Sequence, residues 1–164
     1  MVDEIVIPPT GSTFFFNYAA AIEKVTNAQE RYTRYLETLT PKTLSSLSEY
    51  VTPDVRFKDP FNDVRGADAM ARVFNEMFCK LGNVSFRAVH INSNDNICVI
   101  VWIFEATIRQ KSWKFDGTSV ITFNSDGRVN EHIDHWDAAS NFYEHLPVIG
   151  WLLRKVRRCI AIDP

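Results

Sequence analysis

Residues 49–66, EYVTPDVRFKDPFNDVRG, decide how the rest of the chain is read. Thr52, Pro53 and Asp54 are expected to break a preceding helix, and Val55 to Lys58 alternates as a short strand. Asp59-Pro60-Phe61 then ends that strand on a carboxylate. Proline cannot donate to a ladder and biases its predecessor toward extended backbone, so Asp59 is held extended at a strand end. A carboxylate there is a candidate acid or base. The plainer reading is a turn-initiating Asp-Pro, because aspartate favours turns.

Working backward, 26–38 is expected to be a helix capped by Thr26 or Asn27. Its apolar face holds Ala28, Tyr32, Tyr35, Leu36 and Leu39. Pro41 to Tyr50 reads as a second short helix. Working forward, Gly66 leads into a helix over 67–81, with Asp68 early, Lys80 late and Gly82 as its C-cap. The strands Val84–Ser93, Ile97–Arg109, Trp113–Phe123 and Arg128–Trp136 follow, joined by polar turns. Ile97–Arg109 carries Val99, Val101 and Ile103 on one face and Trp102 and Phe104 on the other, which places it centrally. One face is expected to line a cavity and the other to be covered by a helix or a second subunit.

The totals bound the function. The chain has 164 residues, enough for one domain with a real core. Twelve phenylalanines within 13% aromatic content suit a lined pocket or a buried interface. A net charge of −2 gives no global attraction to nucleic acid, and no nucleic-acid partner is expected. Cys79, Cys98 and Cys159 are odd in number and widely spaced, which argues against a disulfide framework or a thiolate metal site and suits a reducing cytoplasm. The acidic, Pro-broken opening MVDEIVIPPTGS lacks the character of a secretory leader, and a cytoplasmic location is expected. No metal or other cofactor is expected.

Helix, helix, short strand, helix and four long strands make an α+β pattern with one curved antiparallel sheet. The segment 50–66, then a helix, then strands closing on FNSDGRVNEHIDHWD, resembles the NTF2-like (SnoaL-like) superfamily. Within it the chain is most similar to bacterial ketosteroid isomerases and their uncharacterised relatives. The resemblance implies a cone in which the sheet wraps around helices and encloses a ligand pocket. The expected division is an N-terminal arm over 1–25, the cone over 26–137 and a C-terminal amphipathic helical extension over 138–164.

The resemblance also implies roles. Asp59 falls at the proton-shuttling carboxylate. Tyr35, 24 residues before it, falls at an oxyanion-hole tyrosine. Ser119 stands where the isomerase has a second, acidic oxyanion donor, and Trp136 falls on a pocket tryptophan. Phe61, Trp102 and Phe104 are expected in the pocket wall. His132 and Asp134, two apart on a strand, share one face and make the pocket more polar than a sterol site.

Such a set suits proton abstraction next to a carbonyl, with Asp59 as base, Tyr35 and Ser119 as enolate donors, and His132 oriented by Asp134. A dehydratase, or an epoxide hydrolase with Arg109 as a third member, uses similar groups. A non-catalytic ligand-binding or dimerisation module is the other class, and there His132 and Asp134 are a structural pair. The expected partners are a small apolar or carbonyl-containing molecule and a second copy. The basic amphipathic segment 151–162 can lie on a membrane surface or pack on a partner. The reading preferred from the sequence is a helix covering the end of the sheet, with its charges in water.

Overall fold

The computed structural model describes residues 27–162. The expected arm over 1–25 lies outside them. The first helix, α1 (27–37), buries Ala28, Tyr32, Tyr35 and Leu36, the face its spacing gathers. A 3-10 turn at Leu44–Glu49 replaces the second short helix and buries Leu44 and Leu47. Helix α2 (Ala67–Lys80) buries Met70 and Phe74, with Asp68 in its first turn and Lys80 in its last. Its C-cap is Leu81 in extended geometry, and the expected cap, Gly82, is already the first residue of β3.

Strands β1 (Val51–Lys58), β2 (Asp63–Arg65), β3 (Gly82–Asn94), β4 (Ile97–Ile108), β5 (Lys111–Phe123) and β6 (Val129–His135) form one sheet in the order β2-β1-β6-β5-β4-β3. Two local expectations change here. Thr52-Pro53-Asp54 lies inside β1, where the register slips between Val51 and Arg56. A bulge tolerates a proline that has no amide to donate. The sheet is also not wholly antiparallel: β1 pairs with β6 in parallel, as the long connection through α2 and β3–β5 permits.

Period-two alternation gives the sheet two unlike faces. Cys98, Ile100, Trp102, Phe104 and Ala106 of β4 are buried on the inner face, alongside Phe115, Ser119, Ile121 and Phe123 of β5. The register sets Trp102 opposite Gly117, Ile100 opposite Ser119 and Ser119 opposite Asp134. His132 and Asp134 share the inner face, and His135 is exposed. Helix α2 packs on the same inner side, with Phe74 edge-on to Phe57 of β1 at 5.2 Å between ring centres.

After β6 the chain makes α3 (Ala138–Asn141), capped by the Asp137 carboxylate on the Ser140 amide at 3.0 Å. Hydrogen bonds from Ser140 hold the Asp137 carboxyl below the usual carboxylate range. A 3-10 turn at Tyr143–His145 leads to α4 (Ile149–Ile160). The preferred sequence reading changes in part: all four basic side chains of α4 are exposed, and two of them also reach the body. Gly150 seats α4: it is buried, and a Cβ there would collide with the Glu144 carbonyl. Arg154 donates to that same carbonyl, and Arg157 pairs with the buried Glu144 carboxylate at 3.1 Å. Arg154 and Arg157 reach back to the body at Glu144, Lys155 and Arg158 do not, Leu153 is half-buried, and Ile149, Leu152, Val156 and Ile160 face out. Replacing Gly150 with alanine is expected to speed amide hydrogen exchange across 149–160 while leaving the sheet amides protected, as mass spectrometry of the exchanged protein would show.

Candidate functional site

The inner sheet face, α2 and the segment after β6 enclose a cavity of about 1070 Å³. Trp102, Phe104, Trp113, Phe115 and Trp136 wall it, with Phe115 and Trp136 rings 4.5 Å apart. Phe61, from the loop after β1, packs at 5.1 Å from Phe142 and 5.2 Å from Trp136 at the mouth. The expected wall residues Phe61, Trp102, Phe104 and Trp136 therefore all meet in one cavity. Its volume lies at the upper end of small-molecule sites, and aromatic walls favour ring-containing apolar ligands.

One end of this apolar space is polar. Ser119 is fully buried and receives the Trp102 indole N–H on its Oγ at 2.8 Å. A tryptophan N–H only donates, so the Ser119 hydroxyl is free to donate onward. It reaches Asp134 Oδ1 at 2.5 Å. His132 Nε2 lies 2.9 Å from the same oxygen, and its Nδ1 lies 2.8 Å from the Tyr32 hydroxyl. Burial, with Asp134 nearby, raises the Tyr32 phenol well above its ordinary range, so it stays protonated. The Asp134 carboxylate only accepts, which assigns the proton of a neutral His132 ring to Nε2 and leaves Nδ1 to accept from the Tyr32 hydroxyl. The chain then runs one way: Trp102 to Ser119 to Asp134 from one side, and Tyr32 to His132 to Asp134 from the other. Every donor has an acceptor, and both sides converge on Oδ1. The His132 side chain is only 3% exposed, whereas Asp134 is 19% exposed and lines the cavity.

Gly117 makes this possible. It stands opposite Trp102, and a Cβ there would collide with the far edge of the indole. Only a glycine lets the indole lie across β5 and reach Ser119. Nothing in the sequence pattern singled out Gly117, and strand glycine as a mark of close approach was the available signal.

Three expected residues take other places than the polar floor. Tyr35 does not reach the cavity. It stacks on Tyr50 at 4.1 Å and donates to the Thr43 carbonyl at 3.4 Å, in a separate surface depression. Tyr32, one turn earlier, is buried behind the cavity wall, with its hydroxyl against His132. Asp59 does line the cavity rim, but its Oδ1 accepts from the amides of Phe61 and Asn62 at 2.7 and 2.6 Å and from the Asn62 side chain at 3.0 Å. That is a side-chain-stabilised turn, the plainer of its two readings. Arg109 lies exposed in the β4–β5 turn, away from the floor. Among the described residues no three His, Cys, Asp or Glu side chains gather as metal ligands.

Comparison with known proteins gives the family. The SnoaL-like domain family matches residues 32–132. The chain belongs to the SnoaL-like family, within the NTF2-like superfamily. Solved structures agree at the level of fold. A candidate SnoaL-like polyketide cyclase from Jannaschia sp. CCS1 aligns with TM-score 0.62 at 12% identity, over 72% of this chain and 88% of that one. An LEH-like epoxide hydrolase from M. tuberculosis aligns with TM-score 0.61 at 15% identity, over 87% and 96%. An NTF2-like protein of unknown function from Burkholderia pseudomallei aligns with TM-score 0.58 at 17% identity, over 73% and 92%. No curated protein sequence matches the chain. The SnoaL-like cone thus accounts for the cavity, and its chemistry has to be read from the polar floor.

Tyr32→Phe strands the buried His132 Nδ1 and is expected to destabilise the protein by about 1–3 kcal/mol, whereas Tyr35→Phe removes a long hydrogen bond and costs about 1 kcal/mol or less. The pH dependence adds a check. The raised Tyr32 phenol contributes stability that is intact below about pH 10, the ordinary tyrosine value, and is lost as pH climbs above it, because the unfolded chain ionises first. The gap between wild type and Tyr32→Phe should therefore narrow above about pH 10 in denaturant unfolding.

Proposed function

We propose that the cavity binds a mainly apolar, ring-containing molecule and that Asp134 exchanges a proton with it next to a carbonyl. One observation carries this reading. Asp134 Oδ1 is fixed by Ser119 and His132, while no described residue donates to Oδ2. The carboxylate is thus oriented by its own donors and keeps one oxygen for a ligand in the cavity it lines. Asp59 has the opposite arrangement, with its donors closing a turn. His132 is a positioning residue here: both of its nitrogens are occupied.

The reaction class follows from the groups in reach. A positioned carboxylate contributes about 10²–10⁴-fold to a proton transfer. Trp136 lines the same wall, and an indole N–H is a donor of the kind a developing enolate oxygen requires. Proton abstraction followed by ring closure or double-bond migration uses no more than this. The polyketide-cyclase description of one structural neighbour is in keeping with such chemistry. An epoxide hydrolase that pairs carboxylates with an arginine is supported less well, because Arg109 is remote and the partners of Asp134 are a histidine and a serine. Asp134→Asn is expected to lower turnover on enolisable aromatic ketones by about 10²-fold or more with the fold intact, and Asp59→Asn by much less. Equal losses in both variants, or no turnover by wild type across such a panel, would count against this assignment.

A second copy is proposed on the outer sheet face. Val99, Val120 and Ile133 lie side by side across β4, β5 and β6, with Val101 and Ile103 beside them. A contiguous β-branched face suits self-association. Light scattering should give twice the monomer mass, and Val120→Lys should halve it.

A further inference from the structure

We infer that α4 is a docking helix for an anionic lipid surface and that docking turns the cavity mouth toward that surface. The docking stands on α4 alone; the loading of a ligand from the lipid rests on the cavity reading above.

Helix α4 is inverted relative to an ordinary surface helix. Gly150, Arg154 and Arg157, spaced four and three, face the body and are held by Glu144. Ile149, Leu152, Val156 and Ile160, spaced three and four, form a separate stripe. A surface helix ordinarily buries such a stripe. Here Leu152 is 53%, Val156 49% and Ile160 78% exposed. The arrangement is anchored, because the body-facing side is fixed by a buried carboxylate and by a glycine that admits no side chain.

Charge selects the occupant. Residues 149–160, IGWLLRKVRRCI, carry four cations and no anion, in a chain whose net charge is −2. Arg154 and Arg157 are engaged at Glu144. Among the described residues no acidic group pairs with Lys155 or Arg158; Lys155 borders the stripe on the side away from Arg157, and Arg158 lies beyond it. Trp151, 61% exposed, lies under the Lys155 ammonium at 5.6 Å. An apolar stripe bordered by a lysine, with tryptophan and arginine beyond it, matches a bilayer interface, where tails take the stripe and anionic headgroups take the cations. A purely apolar protein partner gives those cations nothing to pair with. No helix of the described residues is long and apolar enough to cross a membrane, so the contact is peripheral.

Position supplies the consequence. Glu144, the anchor of α4, adjoins Phe142 and Tyr143, and those two rings pack with Phe61 at the cavity mouth. A surface that receives α4 therefore lies close to the opening. An apolar ligand dissolved in lipid would enter without crossing water.

The test is vesicle flotation of the full chain without any ligand. The protein is expected to float with phosphatidylcholine vesicles containing phosphatidylglycerol, to float poorly with phosphatidylcholine alone, and to be released by salt. Leu152→Ser with Val156→Ser, and separately Lys155→Gln with Arg158→Gln, should each weaken partitioning by roughly tenfold or more. No flotation, or flotation indifferent to phosphatidylglycerol or to both pairs of substitutions, overturns the proposal. Cys159, three residues after Val156, reports prior occupancy. In Cys79→Ser protein without lipid it should react with a maleimide as an exposed thiol. Protection there, whether by residues 1–26 or by a second copy, means the stripe is already covered and also overturns the proposal. A protein that floats but turns over no ketone contradicts only the catalytic reading, and the reverse result contradicts only this one.

Discussion

A buried histidine with both ring nitrogens committed constrains the rest of the structure. His132 lies between the Tyr32 hydroxyl and the Asp134 carboxylate, at 2.8 and 2.9 Å. Leaving either nitrogen unpaired inside an apolar core costs about 1–3 kcal/mol, so helix α1 and strand β6 must keep their relative position. Asp134 in turn needs Ser119, and Ser119 accepts from Trp102, which brings β5 and β4 into the same network. Five side chains from four elements thus satisfy one another at one end of an aromatic cavity. A polar cluster of this kind is stable only when every donor has an acceptor, and here each one does.

The strand pattern was legible because alternation is a direct consequence of the pleat. Trp102 and Phe104 faced inward as read, and His132 and Asp134 shared a face because they are two apart. The helix face over 27–37 was equally plain, but Tyr32 and Tyr35 both lie on it. Spacing cannot separate two tyrosines on one buried stripe. The interval to Asp59 selected Tyr35, and the polar partner across the core, His132, selected Tyr32. Asp59 was ambiguous in sequence for a related reason: an Asp-Pro at a strand end looks alike whether its carboxylate serves a ligand or the two amides after it. Pro53 misled differently, because a bulge opposite β6 accommodates a residue that a regular ladder excludes.

The C-terminal helix shows the limit of composition. The sequence revealed an amphipathic segment but not which side the body would take. A salt bridge and a carbonyl contact at Glu144 decided that, and neither has a periodic signature. Family membership sets the cone and leaves its contents open, and solved structures at 12–17% identity agree with this chain at the level of fold alone. In this chain the cone combines an oriented Asp134, a large aromatic cavity and an outward apolar helix beside its mouth.

The most direct test of the central claim is the protonation pattern of His132 by nitrogen-15 NMR of the imidazole. The hydrogen-bond chain requires one proton on Nε2, shared toward Asp134, and a bare Nδ1 that accepts from Tyr32. A resonance pair with Nε2 protonated and Nδ1 unprotonated, lost on Tyr32→Phe, is the expected result. A proton on Nδ1, or an imidazole indifferent to Tyr32, would mean that Asp134 is not oriented in this way.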